Sequence, residues 1–394
     1  MGIKNINTLI KSSCERALIN VTIKSLAGGR IAIDAPLVFY TNMAIATKEY
    51  VKKMADLLAD LDMEKIIKHC VRSCVEFHLF WMNSKISPVW LKDGDVVVEK
   101  LETRKKRSKA RKDARKRIEE LKEILSDQDV MSRKKRDEEE LRKLMSNYFV
   151  INEETLEALY GALTGLGIPV ITCPGEAEAY GVSLNRAGLV QGLWTSDTDC
   201  YALGGINMYT GFGPRNSDGE RTVCSVHIPY ILEDLKFTQE QVRDLCIMSG
   251  SDFNDNIPNI GVARSFKFIK DHGSIEEFEK KTKKDCDILN YERSRELLTP
   301  PDCELEHESK ELYHDREAFK SGGEEVSLMY DLEDQHSKLD FLLRYKINVS
   351  TFDPESHPIR KIRIVVRKAK GKKEKEGKVK EKIKEGKVKE RKLS

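Results

Sequence analysis

Acidic residues follow short apolar runs at four places in this sequence. They are Asp34, Asp93, the pair Glu176 and Glu178, and the pair Asp197 and Asp199. Carboxylate oxygens without a Cys or His cluster are hard ligands, which select Mg²⁺ or Mn²⁺ over zinc. Two such ions roughly 4 Å apart would activate a water molecule and stabilise the leaving oxygen in an in-line attack on phosphorus. The acids therefore predict a metal site for phosphoryl chemistry.

Two of the four places carry acid doublets, Glu176-Ala177-Glu178 and Asp197-Thr198-Asp199. A single Asp after a strand is explained equally well by the preference of Asp for turns. In an extended backbone, however, residues two apart point to the same side, so each doublet would bring like charges together. A bound cation would offset that repulsion. Metal binding is therefore the simplest explanation of the whole set.

Short strands separated by amphipathic helices must position these acids. The apolar runs lie at 31–33, 88–91, 168–171 and 192–195. Strands alternating with helices predict an α/β fold with a central, mostly parallel sheet that is flanked by helices. Sites in such sheets lie at the carboxyl ends of the strands. Four strands would therefore deliver six carboxylates to one edge.

A heavily charged segment, from Lys100 to about Asn152, separates the second and third of these strand ends. Its first part, 100–117, holds eleven Lys or Arg against two acidic residues. The pattern predicts a solvent-facing helical hairpin, and a purely solvated face is the alternative. Because the basic half directly follows a candidate metal ligand, it is also where a phosphate backbone would lie.

Composition favours an intracellular protein. Of the 394 residues, 34% are charged, and no apolar run approaches the roughly 18 residues of a membrane-spanning helix. The first seven residues lack the apolar core of a secretory signal. Nine scattered cysteines predict reduced thiols. We expect no membrane association, a nuclear location if the source is eukaryotic, and a host-cell replication compartment if it is viral.

One cluster has ligand types at helical spacing and could be read as a zinc site. It consists of His69, Cys70, Cys74 and His78. Apolar residues, including Val71, Val75 and Phe77, surround it. They favour an ordinary packed helix over a metal site.

The ordered motifs resemble those of the flap endonucleases, a family of structure-specific 5′ nucleases, over about 1–352. The matching motifs are Met1-Gly2-Ile3, Ile33-Asp34-Ala35, Asp93-Gly94, Pro174-Gly175-Glu176-Ala177-Glu178-Ala179, Ser196-Asp197-Thr198-Asp199 and Ser249-Gly250-Ser251-Asp252-Phe253. The family carries seven carboxylates in this order, which implies that Asp252 is the seventh metal ligand. The resemblance also implies two Mg²⁺ per site, with Mn²⁺ as a substitute.

The resemblance further implies catalytic and substrate-binding roles. Lys100 and Arg107 lie one and two heptads beyond Asp93, where the family has two basic residues that reach the scissile phosphate. The alternative is that they are merely two of eleven basic residues. Tyr40 would stack on an unpaired base, and a core tyrosine is the alternative. Gly2, Gly250 and Asp252 fall at substrate-binding positions.

The segment 257–270 resembles the helix-turn-helix element with which the family grips duplex DNA. Backbone amides at the helix start, next to Gly261, would hold phosphates without reading bases. The family's turn also takes a monovalent cation such as K⁺ through its carbonyls. Asn259 replaces the usual first glycine, and because Asn tolerates a left-handed conformation the turn is expected to survive.

The predicted organisation has four parts. Residues 1–100 and 153–352 form the nuclease core, 101–152 the helical arch, and 353–394 a basic, disordered tail. From 361 to 394 there are 16 Lys or Arg against 5 Glu, a net charge of +11 that leaves −8 for the rest. The hexapeptide at 376–381 recurs at 385–390. Such a tail suggests non-specific DNA affinity or nuclear import.

The sequence thus predicts a structure-specific 5′ endonuclease and 5′-3′ exonuclease that cleaves 5′ flaps and branched DNA during replication or repair. A related 5′ nuclease with exonuclease, bubble or junction-resolving preference is the alternative. A catalytically dead DNA-binding scaffold is the non-enzymatic alternative, and it predicts decayed carboxylates. No glutamine is followed by an aliphatic and two aromatics at family spacing near the end, so docking to a sliding clamp is not expected.

Overall fold

The structure, a computed structural model, describes residues 2–95, 97–127 and 135–301, together with the backbone of two later strands. The chain divides into two compact units. The first comprises Met1–Asp302 and Asp334–His357, and the second comprises Cys303–Glu333 and Pro358–Ser394. The predicted boundaries of the core, the arch and the tail stay predictions. Most of the tail, including both copies of the hexapeptide, lies outside the described residues.

A mixed seven-stranded sheet forms the centre of the first unit. Its strands are β1 (Leu18–Thr22), β2 (Arg30–Asp34), β3 (Ser87–Lys92), β4 (Val170–Thr172), β5 (Gly192–Trp194), β6 (Asn207–Gly213) and β7 (Thr222–His227). They lie in the order β1-β7-β6-β5-β2-β3-β4. The five strands from β6 to β4 are parallel, whereas β7 pairs antiparallel with both β6 and β1. The predicted fold class is confirmed, with an antiparallel pair added at one end.

Thirteen α-helices lie in the described part of the chain. They are α1 (Ile6–Ser13), α2 (Ala35–Lys53), α3 (Met63–Asn83), α4 (Leu101–Ser126), α5 (Lys135–Asn147), α6 (Glu153–Gly165), α7 (Ala177–Arg186), α8 (Asp199–Leu203), α9 (Ile228–Leu235), α10 (Gln239–Ser249), α11 (Val262–His272), α12 (Ile275–Thr282) and α13 (Tyr291–Leu297). None of these helices is long and apolar enough to cross a membrane. In the second unit, β8 (Glu324–Leu328) pairs antiparallel with β9 (Ile362–Val366).

The central strands are mostly apolar because both faces of the sheet are covered. Ile33 of β2 lies in register with Trp90 of β3 and Trp194 of β5. Side chains of α2, α3 and α6 cover one face. Helix α7 packs closely on β5, where a Cβ on Gly181 would lie 2.6 Å from Leu193 Cδ1. The glycine thus permits the close approach of helix and strand.

The segment predicted as a solvent-facing hairpin forms α4 and α5, but its far half is packed. Side chains from both helices are buried with Val51 at the end of α2, and they are Ile118, Leu121, Leu125, Leu141 and Met145. Arg142 also donates to the Val51 carbonyl at 2.8 Å. The expectation of a solvated hairpin is therefore wrong for this half, because an apolar stripe at helical spacing binds it to α2. The basic half of α4 is largely exposed.

The ligand-type residues of α3 make the contacts of a packed helix. The indole of Trp90 donates to His78 Nδ1 at 3.2 Å, and Cys70 lies 3.8 Å from the Phe39 carbonyl. Burial lowers the pKa of His78 to about 3, so its imidazole is neutral. Within the described residues, the eight cysteines are free thiols.

The packed half of the hairpin can be tested through Leu141, which is fully buried. Leu141→Ala removes methyl groups from the cluster beside α2, so it should cost about 2–5 kcal/mol of local stability. Hydrogen exchange of the α5 amides should accelerate accordingly. Ile124→Ala on the exposed face of α4 is the matched control and should change little. Equal exchange in the two variants would mean that the cluster does not hold the hairpin.

Candidate metal centre

The carboxyl ends of β2, β3, β4 and β5 bring the predicted acids together at one edge of the sheet. The closest three are Glu178, Asp197 and Asp199, whose ligand oxygens all lie within 4.8 Å of one another. All three side chains are buried. The cluster contains carboxylates alone, which suits a hard divalent cation.

Asp34 is held at the junction of β2 and α2. One of its oxygens accepts a hydrogen bond from the Leu37 amide at 3.1 Å, and the other accepts from the Thr195 hydroxyl at 2.8 Å. Thr195 Oγ1 in turn accepts from the Asp197 amide at 3.1 Å. The threonine, which is 1% exposed, thus links the ends of β2 and β5.

Asp93 and Gly94 follow β3 and contact the segment at the start of α7. The Asp93 carboxylate accepts from the Ala177 amide at 2.9 Å, so it satisfies a free N–H of a neighbouring helix. A Cβ on Gly94 would lie 2.0 Å from the Cys173 carbonyl oxygen. This close approach explains why a glycine follows Asp93.

The sequence predicts an extended backbone through each acid doublet, but the structure has a helix start there. Glu176 precedes the first residue of α7 and Glu178 lies in its first turn. Asp199 begins α8, and its amide donates to the Asp197 carboxylate at 3.1 Å. The prediction of an extended backbone is wrong because a helix begins inside each doublet. Carboxylates are favoured there by the amide groups and the positive end of the helix dipole.

Burial makes the ionised cluster costly. Burial, followed by the charge of Asp197, raises the pKa of Asp199 well above its ordinary value. Burial and Glu178 likewise raise the pKa of Asp34 well above its ordinary value and raise that of Asp197. Burial and Glu178 also raise the pKa of Glu176 to about 7, although Lys100 opposes the shift. Like charges in a low-dielectric site produce this pattern.

The carboxylate of Asp199 fits a bound cation. Both of its oxygens are buried, and neither has a hydrogen-bond partner within the described residues. A buried carboxylate without partners carries a large desolvation penalty. A divalent cation would supply the missing contacts, so the residues present are compatible with metal binding.

Two basic residues of the α4 region lie directly against the acids. Lys100 Nζ is 2.5 Å from Glu176 Oε1 and 3.4 Å from Glu178 Oε1. Burial lowers the pKa of Lys100, but Glu178 and Glu176 outweigh burial and raise it overall. Arg107 donates to Asp252 Oδ2 at 2.9 Å. The structure thus brings both predicted basic residues to the carboxylate edge.

The other predicted acids join the same electrostatic group. Asp252 follows α10 and contributes to the raised pKa of Asp199. Asp93 contributes to the raised pKa of Asp34 and of Glu176. All seven predicted acids therefore belong to one edge of the molecule.

The N-terminal segment lies beside these acids. A Cβ on Gly2, whose φ is +85°, would lie 2.2 Å from Asp197 Oδ1 and 2.8 Å from Asp199 Oδ1. The amide of Ile3 donates to Thr198 Oγ1 at 2.7 Å. The carbonyl of Gly250, a residue that is also at positive φ, accepts a hydrogen bond from the backbone amide of Lys4. Glycine is needed at position 2 because any side chain would collide with the carboxylates.

Two regions of the chain match known protein-family domains. Residues 1–114 match the XPG N-terminal domain, and residues 167–252 match the XPG I-region. The chain belongs to the XPG and flap endonuclease family. Family membership and the buried acidic cluster together make it a structure-specific nuclease that binds DNA. The expected family is confirmed.

Relatives in this family cover most of the chain. Flap endonuclease 1 of Enterocytozoon bieneusi (strain H348) is 29% identical over 276 residues, which is 70% of this chain and 72% of that protein. Flap endonuclease 1 of Mus musculus is also 29% identical, over 70% of this chain and 68% of its own. The catalytic core of Rad2 in complex with DNA substrate has the same fold. Its TM-score is 0.54 at 18% identity, over 90% of this chain and 99% of that one.

The remaining predicted DNA contacts of this family member lie on the surface. Tyr40 is 52% exposed and its ring centroid lies 5.0 Å from that of Phe149, so the alternative of a core tyrosine is wrong. Asn259 has φ +63°, which confirms the expected left-handed turn. Gly261 immediately precedes α11. The roles of these residues stay predictions.

Sequence reasoning missed two residues that organise the site. Thr195 was treated as the last residue of a strand, and Asn256 was not considered. Asn256 bonds three groups around the α10–α11 loop. A polar residue at a buried strand end, and three amide or acid residues at 254–256, were the available signals.

The cost of the ionised cluster can be measured through Asp199. Its folded-state pKa is raised, so ionisation above the unfolded value of about 3.9 destabilises the fold, and the penalty grows as pH rises. Asp199→Asn should therefore raise the Tm of the metal-free protein near about pH 8, by roughly 2–4 °C per kcal/mol, and by less near about pH 4. Differential scanning calorimetry in EDTA is the measurement.

Asp244→Asn is the matched control for this experiment. Asp244 is equally buried, but both of its oxygens accept from Arg295 at 2.7 Å. Replacing it leaves a guanidinium without one of its partners, so Tm should fall. If Asp199→Asn lowers the Tm as Asp244→Asn does, the Asp199 carboxylate has a partner that stabilises the fold.

Proposed function

We propose that this protein is a Mg²⁺-dependent flap endonuclease that cleaves 5′ flaps and branched DNA where single strand meets duplex. A single observation carries the proposal: a buried cluster of carboxylates faces Lys100 and Arg107 at one edge of the sheet. Carboxylates and cations in contact with them are the groups that phosphodiester hydrolysis needs. The named relatives are flap endonucleases, which supports the same substrate class.

The proposed metal ligands are the seven acids at that edge. Glu178, Asp197 and Asp199 form the innermost set, because their oxygens are closest and those of Asp199 lack partners. Asp34, Asp93, Glu176 and Asp252 would complete it. Two Mg²⁺ ions bound there would supply an activated water and stabilise the leaving oxygen, and Mn²⁺ would substitute.

Lys100 and Arg107 would stabilise charge on the scissile phosphate. Each now shares its charge with acids, Lys100 with Glu176 and Glu178 and Arg107 with Asp252. A phosphate at this edge would offer both side chains a second anionic partner within reach of the acids. Donors fixed in position before the reaction stabilise developing charge without reorganisation.

DNA would be held by groups on both sides of the acids. The exposed, basic half of α4 faces solvent beside Lys100, where a single strand can pass. The start of α11, next to Gly261, presents backbone amides to duplex phosphates. Tyr40 offers an exposed ring on which an unpaired base can stack. None of these contacts reads base identity, so specificity would come from DNA shape.

The decisive test is cleavage of an end-labelled double-flap DNA in Mg²⁺ by the wild type and by Asp197→Ala. Wild type should cut once near the flap base. The variant should lose cleavage and keep most of its DNA affinity, because affinity depends mainly on phosphate contacts. Asp218→Ala, at an exposed loop, should cleave as wild type does. Cleavage retained by Asp197→Ala would exclude Asp197 as a ligand.

Nicked, bubble and four-way substrates belong in the same assay. A preference for one of them would keep the carboxylate chemistry and move the protein elsewhere in its family. If the wild type cuts none of these substrates, a DNA-binding scaffold would be the better explanation.

Lys100 supplies a second test. Lys100→Met should lower single-turnover cleavage on the order of 10²-fold or more, with a much smaller change in DNA affinity. Lys24→Met, whose exposed ammonium contacts only Glu220 among the ion pairs of the described residues, should behave as wild type. A variant that loses affinity rather than turnover would make Lys100 an ordinary backbone contact.

A further inference from the structure

The turn between α10 and α11 borders an open cavity of about 410 Å³ close to the N-terminal segment. Its lining includes Lys4, Ser249, Asn256, Ile257, Asn259 and Ile260. The family resemblance implies a monovalent cation such as K⁺ at this turn, bound through backbone carbonyls. Binding of K⁺ in proteins requires several carbonyl oxygens to replace its hydration shell. Whether an ion fits this site therefore depends on whether those carbonyls already accept hydrogen bonds from the chain.

Three carbonyls of this turn are already engaged by donors from the chain itself. Asn259 O accepts from the guanidinium of Arg264 at 2.6 Å. Ile260 O accepts from the side-chain amide of Asn256 at 3.3 Å, and Ile257 O accepts from the Ile260 amide at 3.0 Å. These residues do not fit a bound monovalent cation.

A lysine ammonium enters the same cavity. Lys4 Nζ donates to Asn256 Oδ1 at 2.7 Å, and the Asn256 amide nitrogen donates to the Ser249 carbonyl at 2.6 Å. The Lys4 backbone is also fixed, because its amide donates to the Gly250 carbonyl at 3.0 Å. A Cβ on Gly250 would lie 1.9 Å from Asn256 Oδ1. Glycine at position 250 thus leaves room for the asparagine that receives the lysine.

We infer that Lys4 and Arg264 supply from within the chain the positive charge that the resemblance assigns to a bound cation, so duplex binding does not require K⁺. The inference rests on the proposed function, because it concerns how the same DNA substrate is held. A lysine ammonium is a compact charge with three donors, and a guanidinium bonds carbonyl oxygens directly. Both lie beside the start of α11, where the helix dipole also favours a phosphate.

The wild type gives the first measurement, the affinity for flap DNA by fluorescence anisotropy in EDTA, where cleavage cannot occur. Affinities in KCl and in choline chloride at equal ionic strength should agree within about twofold, because counterion release depends on ionic strength rather than on K⁺. Markedly tighter binding in KCl would overturn the inference. Absence of DNA binding in both salts would remove the proposed function as well, which distinguishes the two failures.

Variants give the second measurement. Lys4→Gln and Arg264→Gln should each weaken DNA binding and reduce the salt slope by about one charge, while Lys4→Arg should bind nearly as wild type. Lys11→Gln, on the exposed face of α1, is the matched control and should not change affinity. Wild-type affinity in the Lys4→Gln protein, with its Tm unchanged, would overturn the role of Lys4.

The double variant Lys4→Gln/Arg264→Gln decides whether the two side chains stand where an ion would bind. Because it frees the Asn259 carbonyl and removes the neighbouring ammonium, K⁺ should now tighten DNA binding relative to choline. A double variant indifferent to K⁺ would overturn the inference. Should the double variant fail to fold, which circular dichroism would show, Arg264→Gln compared in the two salts gives the same decision, because it frees the Asn259 carbonyl.

Discussion

Repulsion among carboxylates is the constraint on which the rest of this structure depends. Three buried acids have ligand oxygens within 4.8 Å of one another, and burial raises the pKa of two of them, Asp197 and Asp199. Such a cluster persists only when surrounding groups hold each carboxylate in place. The chain does so from remote parts of the sequence: Thr195 holds Asp34, Ala177 holds Asp93, and Lys100 holds Glu176. Each contact also joins two secondary-structure elements.

Those contacts make the carboxylate edge of the sheet the point where separate segments meet. Parallel strands deliver the acids, and the helices that follow β4 and β5 after short loops turn their amide ends toward them. The N-terminal segment closes one side, since Gly2 leaves no space for a side chain there. The α10–α11 loop closes another, because Asp252 is bound by Arg107. Removing one acid should therefore stabilise the cluster, since function and stability make opposite demands on it.

Much of this arrangement follows from sequence, because it repeats a local rule. Apolar runs ending at acids predict a parallel sheet with its site at the carboxyl edge, and β2, β3, β4 and β5 are neighbours in that sheet. The backbone inside the doublets could not be predicted, because period-two reasoning applies only while a strand continues. The packing of α5 on α2 was missed because charged residues mask its apolar stripe. The contacts of Lys4 and Thr195 join distant residues, and local spacing carries no signal for such pairs.

Basic side chains of the protein bond acceptors near both ends of the α10–α11 loop. At one end Arg107 bonds Asp252, and at the other Lys4 and Arg264 bond the turn before α11. The loop between them is short and internally hydrogen-bonded through Asn254 and Asn256. Phosphates of one substrate can engage both ends only if the DNA has the geometry that the loop fixes. A junction of single strand and duplex places phosphates on two diverging paths, whereas a continuous duplex follows one. If DNA is bound as proposed, shape selectivity would come from this hydrogen-bonded loop rather than from any contact with a base.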